Sequence, residues 1–336
     1  MRIGIDAMGG DRPLAERVLG ALAARELLSE GDRIVLVGNE DQIRGHLAEA
    51  ESWERFIEVH HADQTVGMHE VPVEALRAKP RSSLAIVTRM QRDGELDACI
   101  SAGNTGAFVA AAQMALRRLR GAHRPGIAIV TPTYHGPVAI CDVGANVNCR
   151  PQHLYQYALM ASIYVNAICG IERPRIGLLS IGEEEGKGNE LVKGALDLLK
   201  TSPAVRFIGN VEGRDVFRGT CDVMVCDGFV GNVVLKLMEG MAEGVIQGML
   251  GELKESMPEH VEAIRYAAEA IMAKYDFNEY GGAPLLGVRG ICIICHGASD
   301  RRGVKNAVRV AIEFAKCQIN ERITSLLSQE QRVSDA

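Results

Sequence analysis

The chain has 336 residues, of which 47% are hydrophobic and 24% are charged, a composition typical of a soluble globular protein with a substantial core. Its formal net charge of −6 and the lack of a long basic run argue against nucleic acid binding. Strand-like residues follow Met1 directly and no apolar stretch is long enough to span a membrane, so we expect a cytoplasmic protein.

Short apolar strands alternate with helical patterns from the start of the chain to about residue 299. Six strands are each followed by Gly, Asn, Asp or Ser residues, and they are predicted at 2–6, 98–101, 138–142, 176–181, 222–227 and 290–295. This alternation is typical of a parallel sheet. We therefore predict a single α/β unit over residues 1–336, with the loops at the carboxyl ends of its strands gathered around one pocket at one edge.

The first loop, Ala7-Met-Gly-Gly-Asp11, follows the strand that ends at Asp6. No Gly-x-Gly-x-x-Gly pattern follows this strand, which argues against a nicotinamide-dependent dehydrogenase. Carboxylates at strand ends repel phosphate, so they are predicted to orient the loops, or in one case to act as an acid or base. The carboxylates concerned are Asp6, Asp11, Asp142 and Asp227.

The second loop, Ala102-Gly-Asn-Thr-Gly106, leads into a small-residue helix predicted over 107–119. Ser101, Asn104 and Thr105 offer hydroxyl and amide donors beside Gly103 at a helix N-terminus, which makes this segment a candidate anion site. Ordinary helix capping is the alternative interpretation. Asn146, after the strand 138–142, is a weaker candidate for the same pocket.

The most informative loop is Gly182-Glu-Glu-Glu-Gly-Lys-Gly-Asn-Glu190, between a strand and a helical pattern. Glycine-rich backbone, a lysine charge and a helix N-terminus together favour anion binding. The Gly-x4-Gly-Lys-Ser/Thr pattern of a P-loop is not present. We predict that Lys187 binds phosphate or an oxyanion with the N–H groups of Gly186 and Gly188, with Asn189 as a weaker candidate. A solvated surface lysine is the alternative.

Residues 233–275 carry two helical patterns with no strand between them, and interruptions are predicted near 248–251 and around Pro258. We therefore expect a helical hairpin that projects from the sheet. Asn232, at its start, is a candidate donor to a carbonyl or phosphate oxygen, with helix capping as the alternative.

The apolar residues of this hairpin are typical of a core or a dimer contact. Ile246, Met249 and Leu250 lie close to the predicted glycine-rich turn. Their position favours a tip that touches a membrane surface or a partner.

Cys292-Ile-Ile-Cys295-His296 matches the pattern of covalent haem attachment, but it lies in an apolar run that predicts two thiols packed in a buried strand. His296 is a candidate to protonate a leaving thiolate, and a structural role at the strand end is the alternative. The nine cysteines lack zinc-ribbon spacing, so we predict no structural metal, disulfide or cofactor. One terminal helix is predicted over 304–327.

Seven segments in series resemble the motifs of the bacterial phosphate acyltransferases of phospholipid synthesis, which make acyl phosphate from acyl carrier protein thioesters. They are Ile5–Asp11, Ser101–Gly106, Asp142–Asn146, Gly182–Glu190, Gly209–Asp215, Cys226–Asn232 and Glu279–Gly287. The resemblance implies a three-layer α/β/α homodimer with a mostly parallel sheet, related to the isocitrate dehydrogenase-like and phosphotransacetylase folds. It also implies a pair of helices that touches the membrane, and an integral-membrane glycerol-3-phosphate acyltransferase as partner. Asn148 departs from the pattern, since Asp is expected there.

In the implied reaction inorganic phosphate is the nucleophile, which agrees with the absence of a Gly-x-Ser-x-Gly nucleophile elbow. An acidic carrier protein is expected to dock on basic residues, although solvated faces are the commoner role of such clusters. The densest cluster is Arg117, Arg118, Arg120 and Arg124, and the next is Arg301, Arg302 and Lys305. A short-chain phosphotransacetylase that uses coenzyme A and a non-catalytic docking module remain as rival hypotheses. The sequence does not predict the acyl chain length.

Overall fold

The computed structural model describes residues 1–256, 262, 265–266 and 277–334. Within these residues one mixed sheet of 11 strands forms the centre of the molecule. Its strands are β1 (Arg2–Asp6), β2 (Arg33–Gly38), β3 (Ile57–His61), β4 (Ala98–Ser101), β5 (Gly126–Thr133), β6 (Gly136–Cys141), β7 (Arg175–Leu179), β8 (Arg206–Val211), β9 (Val223–Val225), β10 (Ala283–Leu286) and β11 (Ile291–Ile294).

Helices cover both faces of the sheet. They are α1 (Leu14–Ala23), α2 (Glu40–Leu47), α3 (Pro72–Ala78), α4 (Ser83–Arg92), α5 (Thr105–Ala115), α6 (Pro151–Cys169), α7 (Glu190–Thr201), α8 (Gly228–Ser256), α9 (Phe277–Tyr280), α10 (Arg301–Lys316) and α11 (Ile319–Ser334). Short 3-10 helices occur at Ala24–Leu27, Trp53–Arg55 and Gly213–Phe217.

The strands lie in the order β3-β2-β1-β4-β11-β10-β5-β6-β9-β7-β8. The first five are mutually parallel, and so are the last four. Between them, β10 is antiparallel to β11 and β5, and β5 is antiparallel to β6. Three successive reversals leave the two parallel groups running in opposite directions.

The carboxyl ends of the strands therefore lie at two opposite edges of the sheet. The loops after β1, β4 and β11 lie at what we call the first edge, and those after β6, β7 and β9 lie at the second edge. The prediction of one pocket at one edge is wrong, because the β5–β6 hairpin and β10 reverse the direction of the sheet between the two groups.

Alternation along the strands divides the core between the two faces. In β2, Val35 and Val37 face one cluster, which also includes side chains of α4 and α5, while Ile34 and Leu36 face the cluster beneath α1 and α10. A further cluster lies beneath α6, α7 and α11. Burial of each such side chain contributes about 1.5–3 kcal/mol. Helices on both faces of one sheet confirm the predicted three-layer α/β/α fold.

Two predicted helix boundaries are wrong. The helix α8 continues without a break through Gly248 and Gly251, because glycine lowers helix propensity by only about 1 kcal/mol and keeps its backbone N–H. Pro258 and most of the second part of the expected hairpin lie outside the described residues. The terminal helix is two helices, α10 and α11, separated at Gln318, whose φ is 50°.

Candidate active site

At the first edge, Asp6 and Ser101 are buried and bonded to each other. The Ser101 hydroxyl donates to Asp6 Oδ2 at 2.7 Å and accepts the N–H of Gly103 at 3.0 Å. Asp6 Oδ1 accepts the N–H groups of Met8 and Gly9, each at 3.2 Å. Both side chains are only 1% exposed. These groups hold the loops after β1 and β4 together.

Asn104 is likewise engaged at both ends of its amide. Its Oδ1 accepts the N–H of Ala107 at 3.0 Å, which caps α5. Its Nδ2 donates to the carbonyls of Met68 and Glu70 at 3.0 and 2.9 Å. Thr105, the first residue of α5, is exposed. Asn104 therefore positions α5 and the preceding 67–70 segment.

His296 also lies at the first edge, beside α8. Its Nδ1 accepts the N–H of Ala298 at 3.2 Å, and its Nε2 lies 4.0 Å from a carboxylate oxygen of Glu239. Asp11 is exposed, and its N–H donates to the carbonyl of Gly297 at 2.8 Å. The helix α8 thus starts at the second edge and reaches the first edge at Glu239.

At the second edge, the carboxylate of Asp142 organises the loop that follows β6. Asp142 is fully buried, and its Oδ1 accepts the N–H groups of Ile127, Gly144 and Ala145 at 3.0–3.1 Å. Its Oδ2 accepts the N–H of Asn146 at 2.8 Å. Burial raises the pKa of Asp142, while these N–H bonds lower it, and the net shift is upward. The backbone dipoles in this loop are therefore directed at a protein carboxylate.

Asn146 and Asp227 join this loop to the start of α8. Asn146 Nδ2 donates to the carbonyl of Pro125 at 2.5 Å and to the Tyr157 hydroxyl at 2.8 Å. The Asn146 carbonyl accepts the N–H of Gly228 at 2.8 Å. Asp227 Oδ1 accepts the N–H groups of Phe229 and Val230, in the first turn of α8, at 3.0 and 3.1 Å. These contacts form a fixed frame around the first turn of α8.

Asn232 is the fifth residue of α8, one turn after its start, and is exposed. A Cβ placed on Gly144 would lie 3.9 Å from Asn232 Cβ, so Asn232 borders the loop after β6. Asp227 already caps α8. The side-chain amide of Asn232 makes no hydrogen bond within the described part of the chain, which leaves it available to a ligand.

Lys187 lies in the loop after β7, and its side chain is exposed. Its stem packs against Gly182, since a Cβ placed there would be 2.9 Å from Lys187 Cγ. The nearby Glu185 pairs with Lys200 at 2.6 Å. Among the residues that the structure describes, the Lys187 ammonium has no ion-pair or hydrogen-bond partner.

The glycines beside Lys187 and the following asparagine complete this loop. Gly188 has a φ of +96°, a conformation that favours glycine. Neither its N–H nor that of Gly186 bonds to another described residue. Asn189 Oδ1 accepts the N–H of Val192 at 3.0 Å and caps α7. The loop thus offers two free backbone donors beside a free ammonium.

Ser180 and Asn210 were not identified from the sequence, yet both belong to this loop's surroundings. The Ser180 hydroxyl is buried without a partner among the described residues, and a Cβ on Gly188 would lie 3.0 Å from it. Asn210 Nδ2 donates to the carbonyl of Glu184 at 3.0 Å. A serine directly after the apolar run of β7 was the only available signal.

The remaining predicted residues lie in the β11 segment and in α8. Cys292 and Cys295 are buried at 1% and 3% exposure, as the apolar run predicted. Ile246, Met249 and Leu250 lie within α8, with Met249 40% exposed. No helix of the described residues has the length and apolarity required to cross a membrane.

Comparison with known proteins shows the family to which the chain belongs and the fold that it shares with solved structures. A family model described as "Fatty acid synthesis protein" matches residues 1–322. A phosphate acyltransferase from Geobacter sulfurreducens is 44% identical over 333 residues, which cover 98% of this chain and 95% of that protein. One from Nitratidesulfovibrio vulgaris is 43% identical over 335 residues, with coverage of 99% and 96%.

Two solved structures share the architecture. A phosphotransacetylase from Streptococcus pyogenes superposes with a TM-score of 0.63 at 16% identity, covering 96% of this chain and 94% of that chain. The EutD phosphotransacetylase from Staphylococcus aureus gives 0.58 at 13% identity, with 94% of each chain covered. At these identities the likeness shows the fold alone, and it confirms the phosphotransacetylase-like prediction.

Proposed function

We propose that this chain, which belongs to the phosphate acyltransferase family, transfers a long-chain acyl group from an acyl carrier protein thioester to inorganic phosphate. Family membership is shown by 44% identity to a phosphate acyltransferase across 98% of the chain. The protein is accordingly an acyltransferase of fatty acid and phospholipid synthesis. The acyl phosphate that it forms reversibly would be consumed in the acylation of glycerol-3-phosphate.

The observation that carries the proposed site is the pair of free polar side chains at the second edge. Lys187 and Asn232 are exposed and unbonded within the described residues, and they follow β7 and β9, which are neighbours in the sheet. The loops that follow two neighbouring strands at the same edge of a sheet lie side by side. We therefore propose that both groups act on one small anion.

In the proposed mechanism, Lys187 and the N–H groups of Gly186 and Gly188 bind hydrogen phosphate. A phosphate oxygen attacks the thioester carbonyl while the Asn232 amide donates to the carbonyl oxygen as it becomes an oxyanion. The carbon–sulfur bond then breaks, and the departing thiolate takes the proton that hydrogen phosphate loses. Positioning supplies about 7–11 kcal/mol of such a barrier reduction, and one oxyanion donor about 3–4 kcal/mol.

His296 does not enter this mechanism. It lies near Glu239, seven residues after Asn232 on α8 and therefore about 10 Å along the helix axis. The proton of hydrogen phosphate already balances the reaction. His296 was predicted to protonate the leaving thiolate, and we assign it no part in the transfer step.

An exposed apolar face along α8 supports the proposed assembly and localisation. Exposed apolar residues recur at every fourth position, namely Phe229, Val233, Leu237, Met241 and Val245. We propose that a second copy of the chain covers this face, giving a homodimer. The continuation at Ile246, Met249 and Leu250 would touch the inner face of the cell membrane, beside the membrane-bound acyltransferase that consumes the product. A dimeric mass that Leu237→Glu lowers to a monomeric mass would support the first of these proposals.

The reaction is tested with purified protein, phosphate and palmitoyl-acyl carrier protein, and with palmitoyl-coenzyme A in parallel. Acyl phosphate is trapped as its hydroxamate. Phosphate-dependent hydroxamate from the carrier protein thioester alone is the expected result. Product from the coenzyme A thioester alone would assign the protein to the phosphotransacetylases. No product from either thioester, with folded protein, would contradict acyl transfer to phosphate.

A further inference from the structure

The two basic clusters predicted from the sequence differ in their surroundings. Arg302 pairs with Asp300 at 3.2 Å and with Glu279 at 3.4 Å, and Lys305 pairs with Glu26 at 2.5 Å. Arg124, in the other cluster, is exposed and has no ion-pair partner among the described residues. The same holds for Arg117 and Arg120. Arg301 is likewise exposed without an ion-pair partner among the described residues, but its neighbours Arg302 and Lys305 are neutralised, so the cluster around Arg124 presents more uncompensated positive charge to solvent.

The fold brings Arg150 and His153, which are distant in sequence, beside His123 and Arg124. We call His123, Arg124, Arg150 and His153 the basic cluster. The imidazole rings of His123 and His153 are 6.4 Å apart, and the Arg150 N–H donates to His153 Nδ1 at 3.2 Å. Burial, followed by the nearby Arg124, His123 and Arg150, lowers the pKa of His153 and favours its neutral form, so the positive charge of the cluster comes from Arg124 and Arg150. The positive end of the 19-residue α6, which begins at Pro151, adds to the same potential.

The basic cluster borders the second edge, where Lys187 and Asn232 lie. Arg124 precedes Pro125, whose carbonyl accepts the Asn146 amide at 2.5 Å. The backbone carbonyl of Asn146 in turn accepts the first N–H of α8 at 2.8 Å. A partner held on the basic cluster is thus next to the frame that positions Asn232.

We propose that the basic cluster is the docking surface for the acidic face of the acyl carrier protein, from which the thioester arm enters the second edge. This inference rests on the proposed function. The chain carries a formal net charge of −6, so an acidic partner needs a local positive surface to approach. Complementary charge of this kind raises association rates by about 10–10³-fold at low salt.

The test compares two double charge reversals of equal net change. Arg124→Glu/Arg150→Glu alters the basic cluster, whereas Arg55→Glu/Arg77→Glu alters two exposed arginines that have no ion-pair partner among the described residues. Binding of unacylated holo-carrier protein is measured by fluorescence anisotropy at low and high salt. Steady-state kinetics with palmitoyl-carrier protein then separate KM from kcat.

The basic-cluster variant is expected to weaken carrier binding by about tenfold or more at low salt and to raise KM with little change in kcat. The difference from wild type should shrink in about 1 M salt, where the Debye length is about 3 Å. Equal losses in both variants, unchanged binding in the basic-cluster variant, or no binding by wild type would each overturn the proposal. Loss of binding to anionic phosphatidylglycerol vesicles with carrier binding retained would overturn it in favour of a membrane surface.

The docking proposal and the catalytic proposal fail separately. If wild type binds the carrier protein and only the basic-cluster variant loses it, the docking surface stands even when no hydroxamate forms. If hydroxamate forms at the wild-type rate in the basic-cluster variant with unchanged KM, the reaction stands and the docking surface is wrong.

Discussion

At the first edge of the sheet, Asp6, Ser101 and Asn104 are buried and bonded to the neighbouring loops. At the second edge, Asp142 and Asn146 are bonded in the same way, but Lys187 and Asn232 extend from that frame without a partner among the described residues. Both edges therefore have a frame of polar side chains. Among the described residues Thr105 at the first edge is also exposed and unbonded, but the second edge adds a free lysine ammonium and a free side-chain amide, which is why we place the chemistry there.

This comparison separates two uses of polar residues after strands. A side chain whose donors and acceptors are all satisfied stabilises a loop, and its loss costs stability because partners stay buried and unbonded. An exposed, unbonded donor contributes little to folding and is available to substrate. Substitutions at the two edges should therefore separate into activity losses and stability losses.

The largest expected effect is that of Lys187→Ala. Because the Lys187 ammonium is the free positive charge of the loop after β7, we expect kcat/KM for phosphate to fall by about 10³-fold, the loss typical of removing a strong electrostatic contact in a transition state. The thermal midpoint should stay unchanged, since the ammonium makes no contact that folding needs. Steady-state kinetics and a melting curve measure the two quantities.

Lys193→Ala is the matched control for that variant. Lys193 is an exposed lysine on α7, the helix that follows the same loop. It should retain wild-type kinetics. Equal activity losses in the two variants would indicate a general effect of surface charge and would remove Lys187 from the proposed site.

The second effect, smaller by about tenfold, is that of Asn232→Ala. We expect kcat to fall by about 10²-fold, the lower end of the range for loss of one oxyanion donor. Stability should hardly change, because Asp227 already accepts the first N–H groups of α8. A drop in the thermal midpoint with unchanged kcat would instead show that Asn232 serves only as a helix-stabilising residue.

The strand and helix pattern was predictable because it depends on local periodicity. All six predicted strands are present in the sheet as β1, β4, β6, β7, β9 and β11. The order and direction in which the strands pair depend on contacts between residues distant in sequence, and these were not predictable. Residues 285–286 of β10 pair with residues 126–127 of β5, and this antiparallel contact is one of those that send the two groups of loops to opposite edges.

The residue types of the candidate site were predictable from the sequence. Whether each side chain is already hydrogen-bonded within the protein was not. Asn104 and Asn232 each precede or begin a helix after a strand, and sequence alone gives both the same two interpretations. The structure distinguishes them because Met68 and Glu70, brought from another loop, accept the Asn104 amide. No such carbonyl reaches Asn232 within the described residues. Ser180 was missed because only its burial without a partner draws attention to it.

The smallest expected effect on catalysis is that of Ser101→Ala at the first edge. The variant leaves Asp6 Oδ2 and the Gly103 N–H without their buried partner. We expect the free energy of unfolding to fall by roughly 1–3 kcal/mol. The value of kcat should stay within about twofold of wild type, since a hydroxyl that is 1% exposed does not reach a ligand. Urea denaturation and the hydroxamate assay give the two values.

Thr105→Ala is the companion variant on the same loop. It removes an exposed hydroxyl, whereas Ser101→Ala removes a buried one. It should change neither stability nor turnover if the first edge serves only as a frame. A large loss of kcat in either variant, with stability retained, would move the phosphate site to the N-terminus of α5. Since that helix and Lys187 lie at opposite edges of the sheet, the two loops do not form one small-anion site, and the result would leave Lys187 without the role assigned to it.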